Sequence, residues 1–112
     1  AKLDQGKPDL DLVLGGFSRA LVEVGKVGTF GANKYSRSGW LSVPDAKGRY
    51  KSALLRHYFY EKSGEDNDPE SNLLHAAHLA WNSLAYLELV LRDKKDEEEY
   101  INYAKSIKGS DT

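Results

Sequence analysis

Leu73-Leu74-His75-Ala76-Ala77-His78-Leu79-Ala80-Trp81-Asn82-Ser83-Leu84-Ala85-Tyr86-Leu87-Glu88-Leu89-Val90-Leu91 is the stretch that decides the fold. No glycine or proline interrupts it. Leu73, Ala77, Ala80, Leu84, Leu87 and Leu91 recur at spacings of three and four, the period of an α-helix. Leu74, Leu79, Trp81, Tyr86, Leu89 and Val90 cover most of the remaining circumference. A helix that is apolar on nearly every side sits centrally and needs neighbours on several faces. Upstream, Asp68 followed by Pro69 reads as a helix start. Asp68 would be the N-cap and Pro69 the first helical residue, with Glu70 beside the positive end of the dipole. The pattern therefore predicts a helix over about 69–93.

Two further helices flank it in the reading. Leu10, Val13, Leu14, Phe17, Leu21 and Val24 share one helical face over about 10–28, and the glycines at 15, 16, 25 and 28 weaken that helix. Tyr50, Ala53, Leu54, His57 and Glu61 share a face over about 48–63, with Leu55 and Phe59 opposite. Between these two lies a loop, 33–48, too long to be idle in so small a domain. Residues 1–8 read as a polar arm and 94–112 as a C-terminal extension. In the extension, Asp96 and Glu99 are spaced as a capping box for a short last helix. The prediction is one all-α domain over 1–112, a compact bundle of three to four helices with a long functional loop. The central helix has more apolar surface than its partners cover. This predicts a homodimer or larger assembly, with Trp81, Leu84 and Leu91 at the contact.

Composition removes several functions. The 112 residues leave no room for a second core. Sixteen basic residues against seventeen acidic ones provide no general field for a nucleic acid polymer or an anionic membrane. There is no cysteine, so thiolate metal sites and cysteine nucleophiles are out. That absence, with the polar opening Ala1-Lys2-Leu3-Asp4-Gln5-Gly6, favours a cytoplasmic protein. No segment reads as membrane-spanning.

The chemistry gathers around the central helix. His75, His78 and Asn82 fall at i, i+3 and i+7 and so share a narrow stripe among apolar neighbours. Such groups either hydrogen-bond inside a core or line a cavity. His57 adds a third imidazole, and the turn before the helix supplies Glu65, Asp66, Asp68 and Glu70. Carboxylates hold Mg²⁺ or Mn²⁺ through oxygen, and imidazoles suit Mn²⁺ or Zn²⁺ and move protons near neutral pH. The blander reading has Asp68, Pro69 and Glu70 only starting a helix and the histidines filling a core. The 33–49 loop complements this cluster. Lys34, Arg37, Lys47 and Arg49 are cationic, and Tyr35 and Trp40 offer flat faces. Cations with aromatics suit a nucleotide's phosphates and base; alternatively Trp40 tucks into the core.

Several runs carry a family resemblance. They are Lys7-Pro8-Asp9-Leu10-Asp11-Leu12-Val13, Gly31-Ala32-Asn33-Lys34-Tyr35 with Trp40, Arg49-Tyr50, and Ala53-Leu54-Leu55-Arg56-His57. Gly64-Glu65-Asp66, Asp68-Pro69-Glu70-Ser71 and His75-x-x-His78-x-x-x-Asn82 follow. In this order, over about 7–92, they resemble the phage family named for the N-terminal domain of dATP/dGTP diphosphohydrolase. The resemblance implies a phage-encoded protein, working in the infected host cell on purine nucleoside triphosphates. The named activity releases pyrophosphate and leaves the monophosphate, with a divalent cation. It also suggests kinship with the MazG-type all-α pyrophosphohydrolases, which oligomerise and place sites between helices. Those enzymes carry a paired E-x-x-E and E-x-x-D on two helices. Here E-x-x-D occurs only as Glu65-x-x-Asp68, and Glu88 lacks its E-x-x-E partner.

Two functions of different class follow. In the first, a pyrophosphohydrolase, Glu65, Asp66, Asp68 and Glu70 hold Mg²⁺ or Mn²⁺. His57, His75 or His78 would position the attacking water, and Lys34, Tyr35, Trp40, Arg49, Arg56 and Asn82 would hold the nucleotide. In the second, the chain is a non-catalytic sponge. It would sequester a signalling nucleotide, such as a cyclic dinucleotide or an ADP-ribose derivative, and blunt host defence. A helical interaction protein with structural histidines is the third.

Overall fold

The computed structural model describes residues 5–110, with side chains over 5–108. The first four residues of the expected arm, and Asp111 and Thr112 at the end of the extension, lie outside the described residues. The fold is all-α, as its periodicity predicts. The helices are α1 (Asp11–Leu14), α2 (Ser18–Lys34), α3 (Ala46–Lys62) and α4 (His75–Ser110), with a 3₁₀ turn at Gly39–Ser42. The sole sheet-like feature among the described residues is an isolated antiparallel bridge between Asn67 and Leu74. No helix among them is long and apolar enough to cross a membrane.

The first expected helix is two. The chain breaks after Leu14 at Gly15-Gly16-Phe17, where Phe17 adopts φ −116° and ψ 33°. The second part then runs past its expected end near Gly28 to Lys34. Gly28 stands where α2 crosses α4, and a Cβ there would lie 3.3 Å from the Trp81 Nε1 atom. The missing side chain permits that close approach, so the helix uses a residue that propensity alone would exclude. The long loop shrinks accordingly, to the stretch between Lys34 and Ala46.

α3 matches the reading within two residues. Its inner face carries Tyr50, Ala53, Leu54, His57 and Glu61, all partly buried, and Leu55 and Phe59 point to solvent.

α4 departs from the reading at both ends. It starts at His75, not at Pro69, because Asn72 has φ 58° and no α-helix passes through a left-handed residue. It does not stop near residue 93. Arg92-Asp93-Lys94-Lys95-Asp96 is charged but helix-compatible, and its members are anchored: Arg92 Nε lies 2.8 Å from the Glu88 carboxylate and Lys47 Nζ lies 2.5 Å from Asp93. Asp96 and Glu99 are interior residues of one 36-residue helix, not a capping box.

The core sits between α4, α3 and α2. Val27, Ala77 and Ala85 are its buried apolar residues, and His75, His78 and Asn82 are buried beside them. The polar stripe therefore faces inward. The leucine half of the seam faces out, with Leu84, Leu87 and Leu91 each about half exposed.

Candidate functional site

The turn between α3 and α4 brings the polar groups together. Gly64 closes α3 with φ 102°, which a side chain rarely tolerates. Asp68-Pro69-Glu70-Ser71 then forms a single tight turn capped by the Asp68 carboxylate, for which aspartate in first place and proline in second are suited. The Asp68 Oδ2 atom accepts from the Ser71 N–H and from the Ser71 hydroxyl, each at 2.9 Å. The Asp68 carbonyl accepts from the Asn72 N–H at 2.7 Å, and the Asp66 carbonyl from the His75 N–H at 2.8 Å. The same Asp-Pro pair that can open a helix here staples a turn.

Ser71 links that turn to α4. Its one hydroxyl hydrogen goes to Asp68, so its oxygen accepts from His78 Nε2 at 2.7 Å and from the Leu73 N–H at 3.2 Å. This pattern assigns the Nε2–H tautomer to His78. His75 is anchored separately. Its Nε2 lies 2.7 Å from the Glu65 carboxylate, and its Nδ1 lies 2.8 Å from His57 Nδ1. The rings of His57 and His78 stack in near-parallel planes with centroids 4.5 Å apart. Three imidazoles thus meet where α3 crosses the start of α4.

Their electrostatics suit ligands that need lone pairs. Burial, with His78 and His75 nearby, pushes His57 down to about 4. Burial also lowers His78. For Asp68, burial favours the protonated form, but the bonds from Ser71 and the nearby His78 outweigh it and hold the carboxyl below its ordinary value. Near neutral pH, His57 and His78 are neutral and Asp68 is ionised. One donor atom each from His57, Asp68 and His75 lies within 4.8 Å of the others, close enough for a single ion.

A cleft of about 410 Å³ opens beside this cluster, between α2, α3, α4 and the 35–45 loop. His78 and Asn82 form part of its floor, Trp40 and Trp81 a wall, and Arg37 and Arg49 border it. Trp40 is held by other rings, its centroid 6.3 Å from Tyr50 and 6.0 Å from Trp81. The Tyr50 hydroxyl donates to the Trp40 carbonyl at 2.5 Å. The Asn82 amide donates to the His78 carbonyl at 2.8 Å, one turn back on α4.

The expected site residues divide clearly. His57, His75, His78 and Asp68 converge, and Tyr35, Trp40, Arg49 and Asn82 line the cleft. Glu65 touches the cluster only through His75. Glu70 reaches away to pair with Lys34, and the Asp66 side chain is exposed. Arg56 is bonded to the Ser52 hydroxyl at 2.9 Å on the outer side of α3. Spacing does not mark Tyr50 and Trp81 as cleft residues. The clue is Gly28, which is small where a ring must pass.

The comparisons agree with the resemblance. The family described as dATP/dGTP diphosphohydrolase, N-terminal, matches residues 1–99. A relative from Salmonella phage PMBT28, named dATP/dGTP diphosphohydrolase, is 32% identical over 98 residues, which is 88% of this chain and 32% of the relative. The chain thus spans about a third of the length of the relative it matches. No solved structure matches. On the family match across nearly its whole length, this chain belongs to the family of the N-terminal domain of dATP/dGTP diphosphohydrolases.

Proposed function

We propose that this chain binds a purine (deoxy)nucleoside triphosphate in the cleft and serves its hydrolysis to monophosphate and pyrophosphate with a divalent cation. The observation that carries the reading is the cleft itself: aromatic walls, two arginines at its border and, at its floor, His78, whose ring stacks on His57 of the histidine cluster. Its volume, about 410 Å³, suits a small ligand. A base would stack on Tyr35 or Trp40, and phosphates would meet Arg37 and Arg49. The cation would neutralise charge at the phosphorus while His57, His75 or His78 positions water. The protein would work in the cytoplasm of the infected cell. The test is incubation with dATP or dGTP plus Mg²⁺ or Mn²⁺, read by phosphorus NMR. Pyrophosphate and monophosphate in equal amounts support the reading.

One observation favours capture without turnover. Of the four turn carboxylates, only Asp68 joins the ion-sized group; Glu65 and Glu70 are committed to His75 and Lys34. A site needing several carboxylate-bound Mg²⁺ ions is not assembled by these groups. In that case the chain holds a signalling nucleotide, a cyclic dinucleotide or an ADP-ribose derivative, and releases it intact on heating.

The same reading pairs the chain with a second copy. Its accessible surface is 8916 Å², whereas a folded monomer of this mass exposes about 6200 Å². The radius of gyration is 18.7 Å, against about 13 Å for a compact domain of this length. An excess of well over 2000 Å² is the scale of an obligate homodimer interface. The half-exposed Leu84 and Leu91, with Leu87 between them, are its natural centre, whereas Trp81, expected at the same contact, packs against Trp40 and Tyr50 within the chain.

A further inference from the structure

We propose that His57, Asp68 and His75 bind one first-row transition-metal dication, of the Mn²⁺ to Zn²⁺ series, with Glu65 as the outer partner of His75. This deepens the nucleotide reading by giving its cation a place and a class. The site itself is tested without nucleotide.

The two Nδ1 atoms are 2.8 Å apart. Nitrogens bound at about 2.0–2.1 Å to one ion lie about 2.9 Å apart at a right angle and about 3.3 Å apart at the tetrahedral angle, so the pair needs to open by about 0.5 Å at most. Asp68 supplies the third ligand: one carboxylate oxygen and one ring nitrogen from each of His57 and His75 lie within 4.8 Å of one another. Ser71 fixes the Asp68 carboxylate by two bonds to Oδ2, so Oδ1 keeps its lone pairs. Glu65 completes the arrangement. It takes the Nε2–H of His75 at 2.7 Å, which orients the ring and turns the Nδ1 lone pair toward His57. A ligating histidine whose far nitrogen donates to a carboxylate is the usual supported form of a metal-bound imidazole. Without metal, one proton lies between the two Nδ1 atoms and does the ion's bridging work; a bound ion replaces it and releases it.

The donor set selects the ion. Two imidazoles and one carboxylate are borderline ligands that suit Mn²⁺, Co²⁺ or Zn²⁺, whereas Mg²⁺ demands oxygen in near-ideal octahedral geometry. Three protein ligands leave positions open for water or a phosphate oxygen. The cleft lies next to them, since His78, stacked on His57, is part of its floor. This set differs from the four turn carboxylates that spacing suggests, because Glu70 pairs with Lys34 and Asp66 is exposed.

The test uses chelator-treated protein dialysed against Mn²⁺, Co²⁺, Zn²⁺ or Mg²⁺ without nucleotide. Bound metal is measured by elemental analysis, and Co²⁺ by its visible absorption. The expected result is one Co²⁺ or Zn²⁺ per chain, no retained Mg²⁺, and a raised melting temperature. His57→Asn and Asp68→Asn should each weaken binding at least tenfold, and Glu65→Gln by about 10–100-fold. Asp66→Asn should leave it unchanged. Because a variant can fail to fold, nitrogen NMR of the wild-type imidazoles provides an independent readout: Zn²⁺ should shift both His57 and His75 Nδ1. Absence of uptake by the wild-type chain, or uptake unaltered in both His57→Asn and Asp68→Asn, overturns the proposal. Metal uptake without triphosphate cleavage removes hydrolysis and leaves this site. Nucleotide binding by a chain that takes up no metal removes this site and leaves the cleft.

Discussion

The Nδ1 atoms of His57 and His75 stand 2.8 Å apart, so one proton serves two rings. His75 Nε2 donates to Glu65, which leaves its Nδ1 as acceptor and makes His57 the donor. His75 is 1% exposed, so neither water nor a second conformer replaces a lost partner. Substituting His75→Leu should therefore leave the partly buried His57 short of a partner, while Glu65, about half exposed, turns to water. We expect a loss of about 1–3 kcal/mol in denaturant unfolding. An unchanged midpoint would show that the contact is dispensable.

The metal-free protein should become less stable as pH falls from about 6.5 toward 4. His57 in the folded state takes its proton only near pH 4, whereas an unfolded histidine takes it near 6.5. Between those values the unfolded chain binds more protons, so acid favours unfolding. The lowered His78 acts in the same direction. Since His57 is only half-buried, the effect should be on the order of 1 kcal/mol, well below the full linkage value. Melting curves in chelator at pH 7, 6, 5 and 4 check this; a flat profile contradicts it.

Replacing Trp40 with alanine should cost both stability and binding. The ring closes an aromatic trio with Tyr50 and Trp81 and also borders the cleft. A large-to-small change of this kind costs about 3–5 kcal/mol in a full core; at a partly exposed ring we expect roughly half. Nucleotide affinity should fall by a further 1–3 kcal/mol, the worth of one base stack. Titration at low temperature, with folding followed by circular dichroism, separates the two. Full affinity in the folded variant would place the base elsewhere.

His78→Asn tests the join between turn and floor. Asparagine is too short to reach Ser71 from α4, so the Ser71 oxygen loses the donor it now has at 2.7 Å. Unfolding should become easier by about 1–3 kcal/mol, and the folded fraction should bind nucleotide poorly, because His78 is part of the floor. Early melting with normal binding in the cold would make His78 structural alone.

Light scattering at high micromolar concentration should give a mass of twice the chain or more. Leu87→Glu, on the half-exposed leucine face, should lower it to one chain. A wild-type monomer would reject a self-contact and leave another partner for that face.

The sequence carried the polar stripe plainly. His75, His78 and Asn82 share a face by spacing, and the structure buries all three. Periodicity finds faces but not which of them points inward; α3 decides that by offering His57 to one side of α4. Asp68-Pro69 was ambiguous for a different reason. The pair suits both the start of a long helix and a single capped turn, and the choice rests on Asn72 entering the left-handed region. That in turn depends on bonds such as Asp68 N–H to the Leu73 carbonyl and His75 N–H to the Asp66 carbonyl, which no local propensity reports. The charged 92–96 segment was misleading because solvated residues do not break a helix, and Lys47 and Glu88 hold it. The Trp40, Tyr50 and Trp81 trio joins three separate segments, so no single window contains it.

The staple at Asp68 and Ser71 also bears on how the molecule comes into being. His57 through His78 spans 22 residues of chain, and the groups that meet there are joined by one short hairpin. Closing so small a loop is fast, and contacts this local form early in folding. The cluster should thus exist before α2 docks and outlast its departure. In hydrogen exchange, amides of Asp68, Asn72 and His75 would open with α3 and the first turns of α4 as one unit, later than those of α2. The chemistry would then be built into the part of the chain that folds first, with the cleft wall closing over it afterwards.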